Sequence, residues 1–413
     1  MNILVIGSGG REHALVWKIS QSPGVRVWAV PGNPGMGACG ICVAGMGSYL
    51  EVAERVGADL TVVGPEAPLV AGVVDEFRAA GRLIVGPTAE NARLEGSKIF
   101  AKDFFRRHRI PTAEFVSVET TDDAKKAASR FRFPVVVKAD GLAAGKGVVI
   151  VQDRGEAERA IESLGPRLVI EEFLEGEEVS FIAVCDGRDI LPFAPTQDHK
   201  RVNDDDTGPN TGGMGAYCNS RILTEAQTEQ ILNTIMRPAV EATQFTGFLY
   251  AGLIMTADGP KVLEFNVRLG DPETQPLIHR MTTDFAPVLM SAARGELGRH
   301  KIEWRRGASV CVVMASGGYP GGYPTGVAIR GIEDAEATGA TVFHAGTRLG
   351  DKGIETAGGR VLGVTAGGDD LRSAIESAYR AVGKIEFAGM HYRKDIGAKG
   401  LKRYGVSVPG RSV

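Results

Sequence analysis

Apolar runs that suit strands alternate with stretches of helical spacing through the first part of the chain. The runs are short and are bounded by glycine and proline, as strands in a compact sheet are. The predicted strands are Asn2–Ile6, Val25–Val30, Leu60–Val63 and Leu83–Val85, and the predicted helices are Glu12–Gln21 and Pro68–Ala80. This alternation predicts a parallel sheet with helices on its faces.

A second α/β block begins after Gly86-Pro87. Its first element is predicted as a single helix, Ala89–His108, which ends before Ile110-Pro111 because the residue before a proline disfavours helical geometry. The further predicted strands are Phe115–Val118, Pro134–Lys138, Val148–Val151 and Leu168–Glu171, and the predicted helices are Asp122–Phe131 and Glu156–Leu164.

Two hairpins follow, and a long polar segment separates them. Their strands are Val179–Cys185 with Asp189–Pro195, and Phe248–Thr256 with Lys261–Val267, the latter two joined at Asp258-Gly259. The intervening segment, Thr196–Tyr217, has no periodicity, and we predict a long functional loop there. A helix, Glu225–Thr243, is predicted after that loop.

From Ala308 onward, short strands alternate with glycine and proline turns. The predicted strands are Val310–Ala315, Thr341–His344 and Arg360–Thr365, and the predicted helix is Asp370–Val382. A further helix, Asp284–Arg294, is predicted before this part. The change of composition predicts a separate C-terminal α+β domain that begins near residues 298–306.

The segment Val262–Arg268 carries the clearest chemical pattern. Side chains alternate between the two faces of a strand, so Glu264, Asn266 and Arg268 are predicted to share one face. The opposite, core-facing side is predicted to hold Leu263, Phe265 and Val267. Carboxylate and amide oxygens suit Mg²⁺, and a planar guanidinium suits a phosphate. The pattern therefore predicts a site for a metal-bound triphosphate.

Two glycine-rich segments are candidate anion sites. Gly7–His13 joins the first strand to the first helix, whose backbone amides favour anions, but Glu12 stands where a dinucleotide fingerprint needs its third glycine. Two interpretations of this segment remain: a phosphate site that does not bind a dinucleotide, and a tight turn without a ligand.

Lys138–Gly147 has a Walker-like composition, yet it is one residue short and leads into a strand. Two interpretations remain for this segment: a flexible loop that covers phosphates, and a surface hairpin without a ligand.

Two polar segments later in the chain are weaker candidates for ligand-binding sites. Glu171–Glu178 could present backbone groups to an adenine and a carboxylate to a ribose, although acidic loops are usually just solvated. Gln197–Gly215 clusters charges, amides and glycines as a substrate loop does. Within it, His199 is a candidate base, with a positioning or solvated role as the alternative.

Composition is that of a globular protein that works in a reducing compartment. Hydrophobic residues make up 43% and the net charge is −3, with no basic run to suit a nucleic acid. No run is long enough for a membrane span, and no signal peptide is visible. The five cysteines argue against a disulfide framework. Cys39-Gly40-Ile41-Cys42 lacks the second pair of ligands that a zinc site needs, so we expect reduced thiols in the cytoplasm.

Taken in order, these segments resemble the ATP-grasp ligases, and among them the glycinamide ribonucleotide synthetase family. The resemblance covers essentially the whole chain. One departure is Leu269, where many relatives have Phe, and another is that Phe248–Met255 lacks the further metal carboxylate that many ATP-grasp enzymes have on an earlier strand. The motifs that carry it are GSGGREHA (Gly7–Ala14), PGNPG (Pro31–Gly35), GPEAPL (Gly64–Leu69), VVKADGLAAGKGV (Val136–Val148), EEFLEGEEVS (Glu171–Ser180), QDHKR and GPNTGGMGAY (within Gln197–Tyr217), EFNVRLGDPETQP (Glu264–Pro276), GYPGGYPTG (Gly318–Gly326), HAGT (His344–Thr347) and GGRVLGV (Gly358–Val364).

The resemblance implies an α/β protein of three domains. An N-terminal, Rossmann-like parallel-sheet domain would span residues 1–98 and bind substrate. A central ATP-grasp domain would span 99–303, with a small α+β lid at about 112–185, and an α+β domain would span 304–413. The implied reaction joins glycine to 5-phosphoribosylamine with ATP, through a glycyl phosphate, in purine biosynthesis. A monomer or weak homo-oligomer, acting on small molecules alone, is expected.

The resemblance also implies roles for individual residues. Glu264 and Asn266 would bind Mg²⁺ (or Mn²⁺), while Arg268, Lys138 and Asp206 would act on the reacting groups. The implied ATP site comprises Lys98, Lys138, Gly145, Lys146, Gly147, Glu171, Glu172, Phe173, Leu174 and Glu178. The implied phosphoribosylamine site includes Gly9, Gly10, Arg11, Asn33 and Glu66. The implied glycine site includes Asp206, Thr211, Gly212, Gly213 and Met214.

Three alternatives are weighed against this interpretation. A related ATP-grasp ligase that activates bicarbonate or formate would share the ATP site and differ in the QDHKR to GPNTGGMGAY segment. An oxidoreductase is disfavoured by the failed dinucleotide fingerprint. A regulatory protein with a dead site is expected to have lost Glu264, Asn266 or Lys138, and all three are present.

Overall fold

The computed structural model of the chain describes residues 1–44, 47–142 and 147–405. Its N-terminal part is a parallel sheet with the strand order β3-β2-β1-β4-β5, so the predicted parallel α/β fold is confirmed. The strands are β1 (Asn2–Gly7), β2 (Arg26–Pro31), β3 (Ile41–Cys42), β4 (Leu60–Val63) and β5 (Ile84–Val85). The helices are α1 (Gly10–Ile19), α2 (Tyr49–Arg55), α3 (Glu66–Val70), α4 (Val73–Ala79) and α5 (Ala89–Gly96).

Two helices that were predicted as continuous are each broken. The predicted helix Pro68–Ala80 is wrong because Gly72, at a φ of +92°, separates α3 from α4 in a left-handed conformation that favours glycine. The predicted helix Ala89–His108 is wrong because Ser97 ends α5. Its hydroxyl then caps the next helix, α6 (Lys98–Arg107), by accepting a hydrogen bond from the backbone N–H of Phe100 at 3.2 Å.

The lid is an antiparallel sheet, β6-β9-β7-β8, with two helices on one face. Its elements are β6 (Phe115–Val118), α7 (Thr121–Ala128), β7 (Val135–Ala139), β8 (Val148–Val151), α8 (Arg154–Leu164) and β9 (Leu168–Glu172). Alanines and valines of these elements form an apolar cluster separate from the main core. These elements therefore pack around a small core of their own.

One long, mostly antiparallel sheet joins the central and C-terminal parts, in the order β17-β16-β10-β12-β15-β18-β22-β19 with β11 on β10. Both predicted hairpins are confirmed as β10–β11 and β16–β17. The strands of the long sheet are β10 (Glu177–Asp186), β11 (Ile190–Pro192), β12 (Thr196–Asp198), β15 (Gly215–Asn219), β16 (Thr246–Thr256), β17 (Gly259–Asn266), β18 (Ala308–Ala315), β19 (Thr341–His344) and β22 (Arg360–Gly368). Two further pairs form separate two-stranded sheets: β13 (Arg201–Asn203) with β14 (Thr207–Asn210), and β20 (Thr347–Gly350) with β21 (Gly353–Thr356).

The helices of this part cover the sheet. They are α9 (Glu225–Ile231), α10 (Arg237–Thr243), α11 (Thr274–Arg280), α12 (Phe285–Arg294), α13 (Ile332–Glu336), α14 (Leu371–Val382) and α15 (Ala398–Arg403). A π-helical turn, Leu232–Met236, links α9 to α10, which together form the predicted helix. Within the described residues, no helix is long and apolar enough to cross a membrane.

The predicted long loop Thr196–Tyr217 is wrong, because the segment forms four short strands. β12 and β15 belong to the long sheet, and β13 pairs with β14. Strands of three to five residues are too short to show an alternating pattern, which is why the sequence did not indicate them.

The predicted face of Leu263 is also wrong. The register shifts between β16 and β17, so that Gly252 lies opposite Glu264 while Leu253 lies opposite Val262. Leu263 is the extra residue of a β-bulge. Val262 is buried in the core, and Leu263 turns to the same cavity as Glu264.

Candidate active site

A cavity of about 1250 Å³ lies where the N-terminal part, the lid and the C-terminal part meet. Most predicted site residues line it: Arg11, Glu66, Lys98, Lys138, Gly147, Glu171, Glu172, Phe173, Leu174, Glu178, Asp206, Thr211, Gly212, Glu264, Asn266 and Arg268. Others among the described residues do not: Gly9, Gly10, Asn33, Gly213 and Met214. Gly145 and Lys146 lie outside the described residues.

Glu264 is an unpartnered carboxylate in the cavity wall. It makes no hydrogen bond or ion pair to any residue in the described ranges, although its charge reaches Lys98 and Lys200 and favours their protonated forms. Asn266, two residues on, lies on the same face, and its Oδ1 accepts a hydrogen bond from Arg268 Nη2 at 3.0 Å. These oxygens suit a hard divalent cation, which the free carboxylate would help to bind.

The buried carboxylate of Glu171, on strand β9 of the lid, contacts two lysines. Its oxygens form ion pairs with Lys102 and Lys138. Burial acts to raise the pKa of Glu171, but the two ammonium groups outweigh it and hold that pKa below its ordinary value. Burial lowers the pKa of Lys102 to about 8. Lys138 also donates to the carbonyl of Leu263 at 3.1 Å, which fixes its ammonium beside the strand of Glu264.

Two further carboxylates, Glu178 and Asp198, occupy neighbouring strands. Ser180 of β10 lies opposite Thr196 of β12, so Glu178 and Asp198 stand on the same side, two residues along each strand. Lys200 Nζ donates to Glu178 at 2.8 Å and lowers the pKa of that carboxyl. Burial raises the pKa of Asp198 to about 7.

Arg268 lies between two acidic side chains of the N-terminal part. Its Nη2 donates to Glu95 at 2.7 Å and its Nε to Glu66 at 3.2 Å. A third donor, Nη1, reaches the carbonyl of Leu269 at 3.2 Å. Burial raises the pKa of Glu95. Burial also acts to raise the pKa of Glu66, but the charges of Arg268 and Arg11 and the hydrogen bonds to Glu66 together outweigh it and lower that pKa.

The side-chain carboxylate of Glu12 lies in the glycine-rich turn before α1. Glu12 is buried, accepts the backbone N–H of Gly9 at 2.6 Å and pairs with Arg11. A Cβ on Gly9 or on Gly64 would collide with the Glu12 carboxyl, so these glycines make room for it. The first-turn amides that were predicted to bind an anion are therefore partly satisfied by Glu12.

Asn33, predicted in the phosphoribosylamine site, is a structural residue in this conformation. Its Nδ2 donates to the carbonyls of Ser8 at 2.9 Å and His344 at 2.8 Å, which joins the N-terminal and C-terminal parts. Its Oδ1 accepts the N–H of Met36 at 3.1 Å.

The segment after β12 is held by the C-terminal part. Asp206 pairs with Arg393 at 2.9 Å and with Lys399 at 2.6 Å. His199 is fully buried, and its Nε2 accepts the N–H of Gly397 at 3.3 Å, so it positions this segment and is not solvated. Met214 packs in a small apolar cluster behind the cavity.

Several cavity residues were missed from the sequence. Glu95 and Lys102 lay in a predicted amphipathic helix that offered no chemical signal. Asp198, Lys200 and Arg360 lay in quoted motifs, where a polar side chain between buried neighbours was the available clue. Arg360 donates to the carbonyl oxygens of Asp271 at 2.6 Å and Gly212 at 2.7 Å. It thereby joins the segment of Gly212 to the loop that follows the strand of Glu264.

Comparison with known families divides the chain into an N-terminal, a central and a C-terminal domain, in the same order as the parts of the fold described above. Models of phosphoribosylglycinamide synthetase match as the N domain over residues 1–95, the ATP-grasp (A) domain over 96–274 and the C domain over 309–399. The fold and the cavity therefore define an ATP-grasp protein. The match extends over the domains on both sides of the ATP-grasp domain as well. The chain belongs to the phosphoribosylglycinamide synthetase family.

Individual relatives agree with the family assignment. Phosphoribosylamine–glycine ligase of Escherichia coli (strain K12) is 48% identical over 426 residues, which cover 98% of this chain and 99% of that protein. The crystal structure of phosphoribosylamine–glycine ligase from Thermotoga maritima has a TM-score of 0.85 at 33% identity and covers 96% of this chain and 100% of that one. N5-carboxyaminoimidazole ribonucleotide synthetase from the same organism shares the fold, with a TM-score of 0.66 at 22% identity over 94% of this chain and 99% of that one.

Proposed function

We propose that this chain ligates glycine to 5-phosphoribosylamine in de novo purine biosynthesis. The products are glycinamide ribonucleotide, ADP and phosphate. The observation that carries the proposal is the carboxylate of Glu264, which has no hydrogen-bond or ion-pair partner among residues 1–44, 47–142 and 147–405 and lies with Lys98, Lys138 and Arg268 in one large cavity. Membership in the phosphoribosylglycinamide synthetase family and the ligase activity of its named relatives support the choice of substrates.

Glu264 and Asn266 are the proposed ligands of a divalent cation, Mg²⁺ or Mn²⁺. The donor set fits, since both side chains offer oxygen atoms and no described residue pairs with the Glu264 carboxylate. When bound, the cation would neutralise phosphate charge. It would leave the positioning of the phosphates to the protein side chains.

The remaining proposed roles follow the cavity wall. Lys98, Lys138 and the 145–147 segment would hold the ATP phosphates, residues 171–174 the adenine, and Glu178 the ribose. Arg268 would neutralise charge as a glycine carboxylate oxygen attacks the γ-phosphorus and ADP leaves. The phosphoribosylamine nitrogen would then attack the glycyl phosphate carbonyl, releasing phosphate and a proton. No enzyme nucleophile is needed, and catalysis is positioning plus charge neutralisation.

The substrate sites and the wider setting are also proposals. Gly9, Gly10, Arg11, Asn33 and Glu66 would form part of the phosphoribosylamine site, and Asp206 with residues 211–214 the glycine site. We propose domains at 1–98, 99–303 with the lid at about 112–185, and 304–413. We further propose a cytoplasmic monomer or weak homo-oligomer. Sedimentation would test the assembly, and the five free cysteines suit a reducing compartment.

The test is ADP release with Mg·ATP and freshly made phosphoribosylamine, with and without glycine. Release that requires both substrates, with glycinamide ribonucleotide detected by mass, is the expected result. Release that ignores glycine but responds to bicarbonate or formate would overturn the choice of substrate and retain ATP-dependent carboxylate activation.

A further inference from the structure

Arg268 has almost no hydrogen-bonding capacity left for a substrate. A guanidinium offers five N–H donors. Four are used by Glu66, Glu95, Asn266 and the carbonyl of Leu269. One N–H on Nη1 has no acceptor within the described residues. In this conformation, Arg268 cannot form the two parallel hydrogen bonds with which arginine holds a carboxylate or a phosphate.

The two acidic partners of Arg268 are not equivalent. The Glu95 side chain is 8% exposed, and its other oxygen accepts the backbone N–H of Val267 at 2.8 Å. Glu66 opens α3 with its side chain 35% exposed, and it contacts the guanidinium at the longer distance of 3.2 Å. A buried charge pair is costly to break, whereas a partly exposed pair exchanges readily with other ligands. Glu66 is therefore the partner that can be released.

Glu66 also faces the cavity from the N-terminal side, with Arg11 close enough for its charge to favour the ionised form of the Glu66 carboxylate. Its carboxylate can accept hydrogen bonds from an amine or from sugar hydroxyls. Arg268 reaches the same cavity from just beyond the end of β17, the strand of Glu264. The contact between Glu66 and Arg268 therefore links a carboxylate suited to an amino sugar with an arginine that shares the cavity with the proposed metal ligands.

We propose that Glu66 gates Arg268: an amino-sugar phosphate that takes over the Glu66 carboxylate frees the Nε–H of Arg268 to engage the phosphoryl group being transferred, while Glu95 keeps the guanidinium in place. This inference rests on the proposed function and adds a coupling to it. Glycine is phosphorylated efficiently only when the amine that will capture the glycyl phosphate is bound. Without that amine, water would attack the intermediate and return glycine and phosphate, so ATP would be consumed for nothing.

The test measures glycine-dependent ADP release in the absence of phosphoribosylamine. We expect the wild-type rate to be a small fraction of its rate with all substrates. Glu66→Gln should raise the uncoupled rate about tenfold and weaken phosphoribosylamine binding, because the amide holds Arg268 less firmly. Glu90→Gln is the matched control. It removes an exposed ion pair on α5, with Arg93, and should behave as wild type. Glu95→Gln should lower both rates.

An uncoupled rate unchanged in Glu66→Gln would overturn the gate, as would a wild-type enzyme equally fast with and without the amine. If Glu66→Gln does not fold, crystals of the wild-type protein with ADP and glycinamide ribonucleotide decide instead. The gate requires the Arg268–Glu66 distance to exceed hydrogen-bonding range while Arg268–Glu95 stays near 2.7 Å. If both contacts of Arg268 are intact in those crystals, the proposed gate is rejected. Failure of the proposed function is a separate outcome, since the wild type would then make no glycinamide ribonucleotide.

Discussion

Arg393 donates a hydrogen bond from Nη1 to Asp206 at 2.9 Å, across 187 residues of sequence. The Arg393 side chain is fully buried and also pairs with Asp395 at 2.7 Å. Asp205 and Asp206 both adopt positive φ angles, of 57° and 52°, which non-glycine residues rarely do. The C-terminal part therefore holds a strained segment of the cavity wall in place.

Replacing Arg393 by Met should destabilise the protein by about 3 kcal/mol, because two carboxylates lose their shared buried cation. Urea unfolding followed by circular dichroism measures the change. Arg154→Met removes an exposed pair with Glu158 and should cost less than about 0.5 kcal/mol. Equal effects in the two variants would show that burial of Arg393 does not decide its contribution.

The sequence was informative where a pattern was long and local. The alternation of β1, α1 and β2 and the β16–β17 hairpin could be predicted, because each rests on periodicity and turn residues within one segment. The alternation from Glu264 onward predicted, for the same reason, that Glu264 and Asn266 share the face that lines the cavity.

Other features depend on contacts that no local pattern encodes. The bulge at Leu263 is decided by pairing with β16, and the break at Ser97 by a capping hydroxyl. Glu12 fills the turn that was predicted to bind an anion because Gly64, just after β4, leaves room for it. Contacts between distant parts of the chain, such as Arg393 with Asp206, are invisible to spacing arguments.

Glu264→Gln should lower Mg²⁺-dependent turnover by at least about 100-fold, because an amide is a far weaker cation ligand than a carboxylate. Since Glu264 has no partner in the described part of the chain, the thermal midpoint should stay near that of wild type. Steady-state ADP release against Mg²⁺ concentration measures the effect. Glu175→Gln, in the exposed acidic loop, is the control for loss of one charge. Wild-type turnover in Glu264→Gln would remove Glu264 from the metal site.

Asp198 should make nucleotide binding depend on pH. Burial raises the pKa of its carboxyl to about 7, so it is mostly neutral at pH 6 and mostly charged at pH 8. An ionised Asp198 beside Glu178 repels an anionic nucleotide, and we expect ADP affinity without metal to fall about fivefold over this range. Asp198→Asn should lose most of that dependence, measured by calorimetry, while Asp189→Asn outside the cavity keeps it. The same pH dependence in Asp198→Asn would assign it to another group.

His13 should make the folded state sensitive to acid. Its Nδ1 accepts the backbone N–H of His344 at 2.8 Å, and burial lowers the pKa of His13 to about 3 and that of His344 to about 4. The unfolded chain binds these protons near pH 6.5 and the folded chain does not, so stability is complete above pH 6.5 and falls toward pH 4. Each histidine contributes about 1.4 kcal/mol per pH unit in that window. His13→Asn keeps an acceptor for the His344 N–H and should reduce the slope of unfolding free energy against pH by about this amount. Urea unfolding at pH 6.5, 5.5 and 4.5 measures it, and an unchanged slope would mean that His13 is protonated without unfolding.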